Sequence, residues 1–296
     1  MQEFKVILCP IDFSEFSVRA YRHALSLAEH YRARLVAHHV VELWQHPAVS
    51  FAATAALLDE YCQSLRENGK EKLREFVKKH THNAIQPELV VDEGMAADAI
   101  LAFAKEKKAD LIVMGTHGRR GYDRLMLGSV TDRVMRRAPC PVLAVREPPR
   151  DSLAAEKHQG HAHHLNKILY CADFSVNSAA ALNYAISAAE EYNAELTLMH
   201  VLEDSPKQAQ MERAIADVTE RLEKMIPPAA RKALRIKTAV RVGKPYAQVI
   251  EFVVEHQIDM VCMGARGHGA LDLAVFGSTT YRVMQLGPCP VLAVHV

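Results

Sequence analysis

Two stretches of this sequence have the composition to hold an anion. Gly115-Thr116-His117-Gly118 is followed nine residues later by Gly128-Ser129, and Gly264-Ala265-Arg266-Gly267 is followed nine residues later by Gly277-Ser278. The shared pattern is G-x2-G-x9-G-S. Glycine lacks Cβ and tolerates positive φ, so such a backbone can curl and bring its N–H groups against a phosphate. Gly128-Ser129 and Gly277-Ser278 each open a predicted helix, whose first N–H groups and dipole favour negative charge. The serine hydroxyl supplies one more donor. Arg119, Arg120 and Arg124 add positive charge to the first loop, and Arg266 and His268 add less to the second.

An acidic residue stands in a matching place in each half. Val6-Ile7-Leu8-Cys9-Pro10-Ile11-Asp12-Phe13-Ser14 corresponds to Lys167-Ile168-Leu169-Tyr170-Cys171-Ala172-Asp173-Phe174-Ser175. Asp12 and Asp173 can hold Mg2+ or a ribose hydroxyl, or simply start a helix as a cap. Pairing each with a glycine loop favours the first role. The repeat extends to the ends of the halves. Gly115–Val145 aligns without gaps on Gly264–Val294, with Pro139-Cys140-Pro141-Val142-Leu143-Ala144-Val145 set against Pro288-Cys289-Pro290-Val291-Leu292-Ala293-Val294. A period this long marks duplicated domains rather than a solenoid. We expect domains over 1–147 and 166–296, joined by a tether over 148–165 that is rich in histidine. His158, His161, His163 and His164 could bind a metal, but they lack carboxylate or cysteine partners and read as a solvated linker.

The elements that must position these residues follow from the apolar pattern. Val6–Ile11 is a short apolar run of the kind found in buried parallel strands. Ser14 offers an N-cap, and Val18, Tyr21, Leu25 and Ala28 share one helical face. Leu35–Val41, Glu88–Val91, Leu111–Met114 and Val142–Val145 are the remaining strands. Helices cover about Ala53 to His80, Ala96–Lys107 and Ser129–Arg137. The second half repeats the order with strands Ile168–Ala172, Leu196–Val201, Ile236–Val242, Met260–Met263 and Val291–His295. The alternation predicts an α/β fold: two tandem, doubly wound, five-stranded parallel sheets of strand order 3-2-1-4-5. In that order strands one and four are neighbours at the switch point, which sets each aspartate opposite its glycine loop. The last strand of each half should lie at a sheet edge, where an apolar strand invites pairing.

Composition excludes several functions. The 296 residues carry a net charge of +1 and are 49% hydrophobic, so no global field favours nucleic acid or a membrane surface. No apolar run is long enough for a membrane span, and nothing resembles a signal peptide. The six cysteines form no C-x-x-C pair and read as buried free thiols of a cytoplasmic protein. No G-x4-G-K-[ST], no G-x-G-x-x-G after the first strand and no G-x-S-x-G is present.

Together these motifs resemble the tandem universal stress proteins, the ATP-binding kind, over nearly the whole chain outside the linker. The G-x2-G-x9-G-[ST] loop, the P-C-P-V-L-A-V strand and the I-D-F-S start carry the resemblance. It implies an adenine nucleotide alpha-hydrolase-like fold, ATP with Mg2+ as ligand, and a role in stress response. By resemblance, Gly115, Gly118, Gly128 and Ser129 contact phosphate and ribose, with Arg119 beside them and Val130 and Thr131 continuing the helix start. Asp12 is the acidic contact, Pro10 lies in its loop, and the backbone of Val40 meets adenine. The second set is Asp173, Val201, Gly264, Gly267, Gly277, Ser278, Thr279 and Thr280. Pro10-Ile11 becomes Cys171-Ala172 there, which departs from the pattern. The resemblance also implies antiparallel pairing of the two domains through their last strands and a possible homodimer. Binding needs only donors, charge and a metal, whereas hydrolysis also needs a residue that positions water. His117 could serve in the first half, but Arg266 replaces it in the second. The shared task therefore reads as nucleotide-dependent regulation by binding, with slow ATPase or phosphotransferase activity as the alternative.

Overall fold

The computed structural model of the protein describes residues 4–42, 55–81, 85–117, 127–146, 165–203, 208–266 and 276–295. The chain divides into two compact units, Glu3–Val145 and Arg146–Val296. The first unit runs β1 Val6–Pro10, α1 Glu15–Tyr31, β2 Arg34–Val41, α2 Ala55–His80, β3 Glu88–Glu93, α3 Ala96–Glu106, β4 Leu111–Gly115, α4 Ser129–Arg137 and β5 Val142–Val145. The second runs β6 Lys167–Cys171, α5 Val176–Tyr192, β7 Glu195–Leu202, α6 Gln208–Met225, α7 Pro228–Ala233, β8 Ile236–Val242, α8 Pro245–His256, β9 Met260–Gly264, α9 Ser278–Leu286 and β10 Val291–Val294.

Every strand pairing within a unit is parallel. In the first unit β1 lies between β2 and β4, with β3 beyond β2 and β5 beyond β4. In the second unit β6 lies between β7 and β9, with β8 and β10 outside them. Both orders are 3-2-1-4-5, as the alternation predicts. Strands 1 and 4 are fully apolar in the middle because both faces of the sheet are covered by helices: Ile7, Leu8, Leu111, Ile112 and Val113 are buried, as are Ile168, Leu169, Val261 and Cys262. The short helix α7 is the one described element that the sequence pattern did not indicate. Six residues that open with Pro228 behind Pro227 read as a turn, although proline suits a first helical position.

The first helix of each unit is fixed at both ends. The Ser14 hydroxyl accepts from the Ser17 N–H at 3.2 Å, and the Ser175 hydroxyl accepts from the Ser178 N–H at 3.2 Å, which satisfies one of the open donors of a helix start. At the other end Arg32 and Asn193 take the left-handed conformation, with φ of 51° and 50°. All six cysteines are free thiols. Burial pushes the thiols of Cys140 and Cys289 up to about 12, so they fill space rather than attack.

The buried polar side chains are not all matched between the two units. His38 on β2 is completely buried, and its ring stacks on Phe103 of α3 at 4.9 Å between centroids. Its Nε2–H donates to the half-exposed carboxylate of Asp92 at 2.9 Å, while Nδ1 has no hydrogen-bond partner among the described residues. Burial lowers the pKa of His38, with Asp92 pulling the other way. The folded unit therefore binds a proton less readily than the unfolded chain. Above about pH 6.5 both states are neutral and the effect is absent. Below that the unfolded chain gains a proton that the fold refuses, and stability falls by at most about 1.4 kcal/mol per pH unit. Met199 holds the aligned position on β7. His38→Met should remove this acid slope from the unfolding of the first unit between pH 7 and 5.5. Denaturant midpoints measured across that range test it, and parallel profiles for the two proteins would refute it.

Candidate functional site

The site of each unit is built where β1 and β4, or β6 and β9, end side by side. Leu8 pairs with Ile112, and Cys171 with Met263, so the loops after these strands leave the sheet together. Two contacts then hold the loops against each other. In the first unit Gly115 at the end of β4 touches the first turn of α1. A Cβ on Gly115 would come within 2.7 Å of Phe16 Cβ and 3.0 Å of the Phe16 carbonyl carbon. In the second unit a Cβ on Gly264 would lie 2.8 Å from the Ser178 nitrogen and 2.9 Å from the Asn177 carbonyl carbon. The Ser175 hydroxyl also donates to the carbonyl of Arg266 at 3.4 Å.

These distances change the part assigned to the first glycine of the motif. Neither Gly115 nor Gly264 has positive φ. Each lacks a side chain because a helix backbone occupies the space. Gly128 and Gly277 also have ordinary backbone angles, φ −59° and −60°, and serve as N-caps of α4 and α9. A glycine cap has no side chain to satisfy the first-turn amides, and neither helix has a side-chain cap. The helix starts are nevertheless held firmly. The N–H of Gly128 donates to the Thr116 carbonyl and that of Gly277 to the Ala265 carbonyl, both at 2.9 Å. Thr131 and Thr280 are buried, and each hydroxyl donates to the carbonyl of Gly115 or Gly264 at 2.8 Å. The two threonines thus brace the loop. Ser129 and Ser278 are exposed at the helix start, with Val130 and Thr279 half-buried behind them. Gly118, Arg119 and Gly267 lie outside the described residues, as do Arg120, Arg124, His268 and the histidines of 148–164.

The opposite wall is the loop after strand one. Asp12 Oδ1 accepts from the Ser14 N–H at 3.0 Å and the Ser14 hydroxyl at 2.6 Å, and Asp173 Oδ1 accepts from the Ser175 N–H at 2.9 Å. Each aspartate closes a turn around a phenylalanine in the left-handed region, Phe13 at φ 65° and Phe174 at φ 61°. A bulky residue there is an outlier that costs roughly 1–3 kcal/mol and persists only where its surroundings hold it. Here the holding groups are rings. Phe13 meets His39 and Phe76 at 4.5 and 5.8 Å, and Phe174 meets His200 at 4.8 Å. The histidines also tie the loop to strand two, because the Nδ1–H groups of His39 and His200 donate to the carbonyls of Ile11 and Ala172 at 2.7 Å. Pro10 and Cys171 are half-buried at the ends of their strands, and Val40 and Val201 follow the two histidines, also half-buried. His39 and His200 were not singled out in the sequence. The available signal was their identity in the repeat, immediately before the matched valines.

The structure therefore gathers Pro10, Asp12, Val40, Gly115, Gly128, Ser129, Val130 and Thr131 around the ends of β1, β2 and β4. It does the same with Asp173, Val201, Gly264, Gly277, Ser278, Thr279 and Thr280 around β6, β7 and β9. His117 is buried, its ring lies tilted against that of Phe16 at 5.1 Å, and its Nδ1 lies 2.9 Å from the Thr116 hydroxyl. That position suits support of the loop better than activation of water. No group of three or more His, Cys, Asp or Glu side chains is arranged to hold a metal among the described residues. A cation here would need ligand oxygens beside those of Asp12 or Asp173, as Mg2+ held between one carboxylate and a phosphate chain has.

Comparison with known proteins agrees with this architecture. The sequence model of the universal stress protein family matches residues 3–146 and 164–295. A universal stress protein of Methanocaldococcus jannaschii is 36% identical over 148 residues, which is 50% of this chain and 85% of the relative. Another, from Bacillus subtilis, is 32% identical over 150 residues, 48% of this chain and 99% of the relative. The crystal structure of a universal stress protein from Archaeoglobus fulgidus superimposes with a TM-score of 0.65 at 20% identity, covering 99% of this chain and 98% of that one. The chain belongs to the universal stress protein family, as two domains in tandem.

The glycine contact is open to a direct test. Gly264→Ala forces α5 away from β9 and should destabilise the second unit by about 1–3 kcal/mol, the usual cost of overpacking. Denaturant unfolding of the full chain would show it, and wild-type stability of that unit would contradict the packing role.

Proposed function

We propose that each unit binds one molecule of ATP with Mg2+, and that the protein acts as a nucleotide-dependent regulator in stress response. The observation that carries this reading is the doubled pairing of an uncapped helix start with a strained, aspartate-closed loop. Two units share that pairing although their loops differ in sequence.

The residues have distinct parts in the proposal. First-turn amides at Ser129, Val130 and Thr131, and at Ser278, Thr279 and Thr280, face an anion without competition from a side-chain cap, and the serine hydroxyls add a donor. Gly118 and Arg119 in the first loop and Gly267 in the second approach the phosphates. Asp12 and Asp173 take a ribose hydroxyl or Mg2+, which supplies charge neutralisation along the phosphate chain when bound. Pro10, and the backbone of Val40 and Val201, border the base. Binding is the main task, because His117, the candidate to position water in the first unit, is buried and is replaced by Arg266 in the second. A slow ATPase or phosphotransferase is the competing reading.

The limits 1–147 and 166–296, with 148–165 as tether, belong to the same proposal. So do a cytoplasmic location, no nucleic-acid partner, antiparallel pairing of the two domains through Val142–Val145 and Val291–His295, and a homodimer of chains. Among the described residues no helix is long and apolar enough to cross a membrane.

The purified chain, denatured and analysed by mass spectrometry, should release an adenine nucleotide, and added Mg-ATP should raise its melting temperature. Phosphate released on incubation with ATP should stay near background. Absence of both nucleotide and stabilisation would refute binding, and steady phosphate release would favour the enzyme.

A further inference from the structure

The two units place different residues just before the second glycine of the loop, His117 in the first and Arg266 in the second. The first turn of the neighbouring helix changes with them. Phe16 of α1, whose ring lies against His117, is matched by Asn177 of α5. His117 is buried behind that ring, whereas Arg266 is only half-buried.

Arg266 stands where the two walls of the second site meet. On the side of the aspartate loop, its carbonyl accepts from the Ser175 hydroxyl at 3.4 Å. On the other side, a Cβ on Gly277 would lie 3.6 Å from Arg266 Cα and 3.3 Å from the Ala265 carbonyl oxygen. Gly277 is the N-cap of α9, so the amides of Ser278, Thr279 and Thr280 begin one residue further on, within the length of an arginine side chain. No hydrogen bond or ion pair joins the guanidinium to a described residue. A half-buried guanidinium is always charged and normally has an acceptor. The uncapped helix start beside it carries the same sign of charge. The two repel in the empty site, and an anion between them satisfies both.

We propose that Arg266 contacts the phosphate chain of the nucleotide in the second unit and makes that unit select ligands by phosphate charge. This rests on the reading of the units as nucleotide sites. His117 does not take the same part in the first unit, because its ring is packed inside against Phe16. A charge-assisted bond from arginine to phosphate is strong, and salt screens it.

Amide hydrogen exchange separates the units within the full chain. Protection of 173–175 and 278–280 in the second, and of 12–14 and 129–131 in the first, can be titrated with Mg-ATP and with adenosine. Arg266→Gln should raise the half-protecting concentration of Mg-ATP in the second unit about tenfold, and that of adenosine less than about twofold. The first unit should not change. Arg266→Lys should recover part of the loss, because it keeps the charge without the planar fork. Added salt should narrow the gap between the native chain and Arg266→Gln. Unfolding curves check that the second unit of each variant remains folded. Unchanged Mg-ATP protection of the second unit in Arg266→Gln, or equal losses for Mg-ATP and adenosine, overturns the role of Arg266 alone. Absence of Mg-ATP protection from both units of the native chain overturns the nucleotide reading beneath it.

Discussion

The contact between a bare glycine and the first turn of a helix sets the geometry of each unit. With no side chain at Gly115, α1 rests on the end of β4, and with none at Gly264, α5 rests on the end of β9. Two loops from strands that are neighbours in space but distant in sequence are thereby held within reach of each other. A single methyl group would press on backbone atoms at 3.0–3.1 Å at Gly115 and 2.8–2.9 Å at Gly264. That contact is steric and does not depend on any ligand. The site is a consequence of how the helix packs.

From this contact the remaining features follow in order. The helix start on one side is braced by Thr131 or Thr280 and presents amides without a side-chain cap. The loop on the other side is closed by an aspartate and contains a phenylalanine in a costly conformation. Strain of this kind, repeated at the same place in both units, is held by ring packing and by a histidine that reaches the preceding carbonyl. The units diverge in what stands behind the ring and in the buried His38. The loops after the first strand keep one conformation in both units although their sequences differ.

Much of this could be read from sequence, for identifiable reasons. Apolar runs such as Val6–Ile11 and Leu111–Met114 mark buried parallel strands because both sheet faces are covered. Ser14 was legible as a cap because capping is a local interaction. The strand order followed from the alternation and the loops. The role of Gly115 and Gly264 was not legible, because a phosphate-binding glycine and a packing glycine look the same until the helix above is placed. The left-handed Phe13 and Phe174 gave no sign, since a bulky residue is the last expected there. His39 and His200 act through a tertiary contact 28 residues away in sequence, which periodicity does not register. Helix α7 is too short for a periodic pattern.

Phosphate held at the two helix starts, against the aspartate loops, would shield the amides there from solvent. Amide hydrogen exchange of the full chain with and without Mg-ATP measures this at the residues concerned. Exchange should slow at 129–131 and 278–280 together with 12–14 and 173–175, with little change at the opposite ends of the strands. Protection confined to other parts of either unit, with these four segments unchanged at saturating nucleotide, would contradict it.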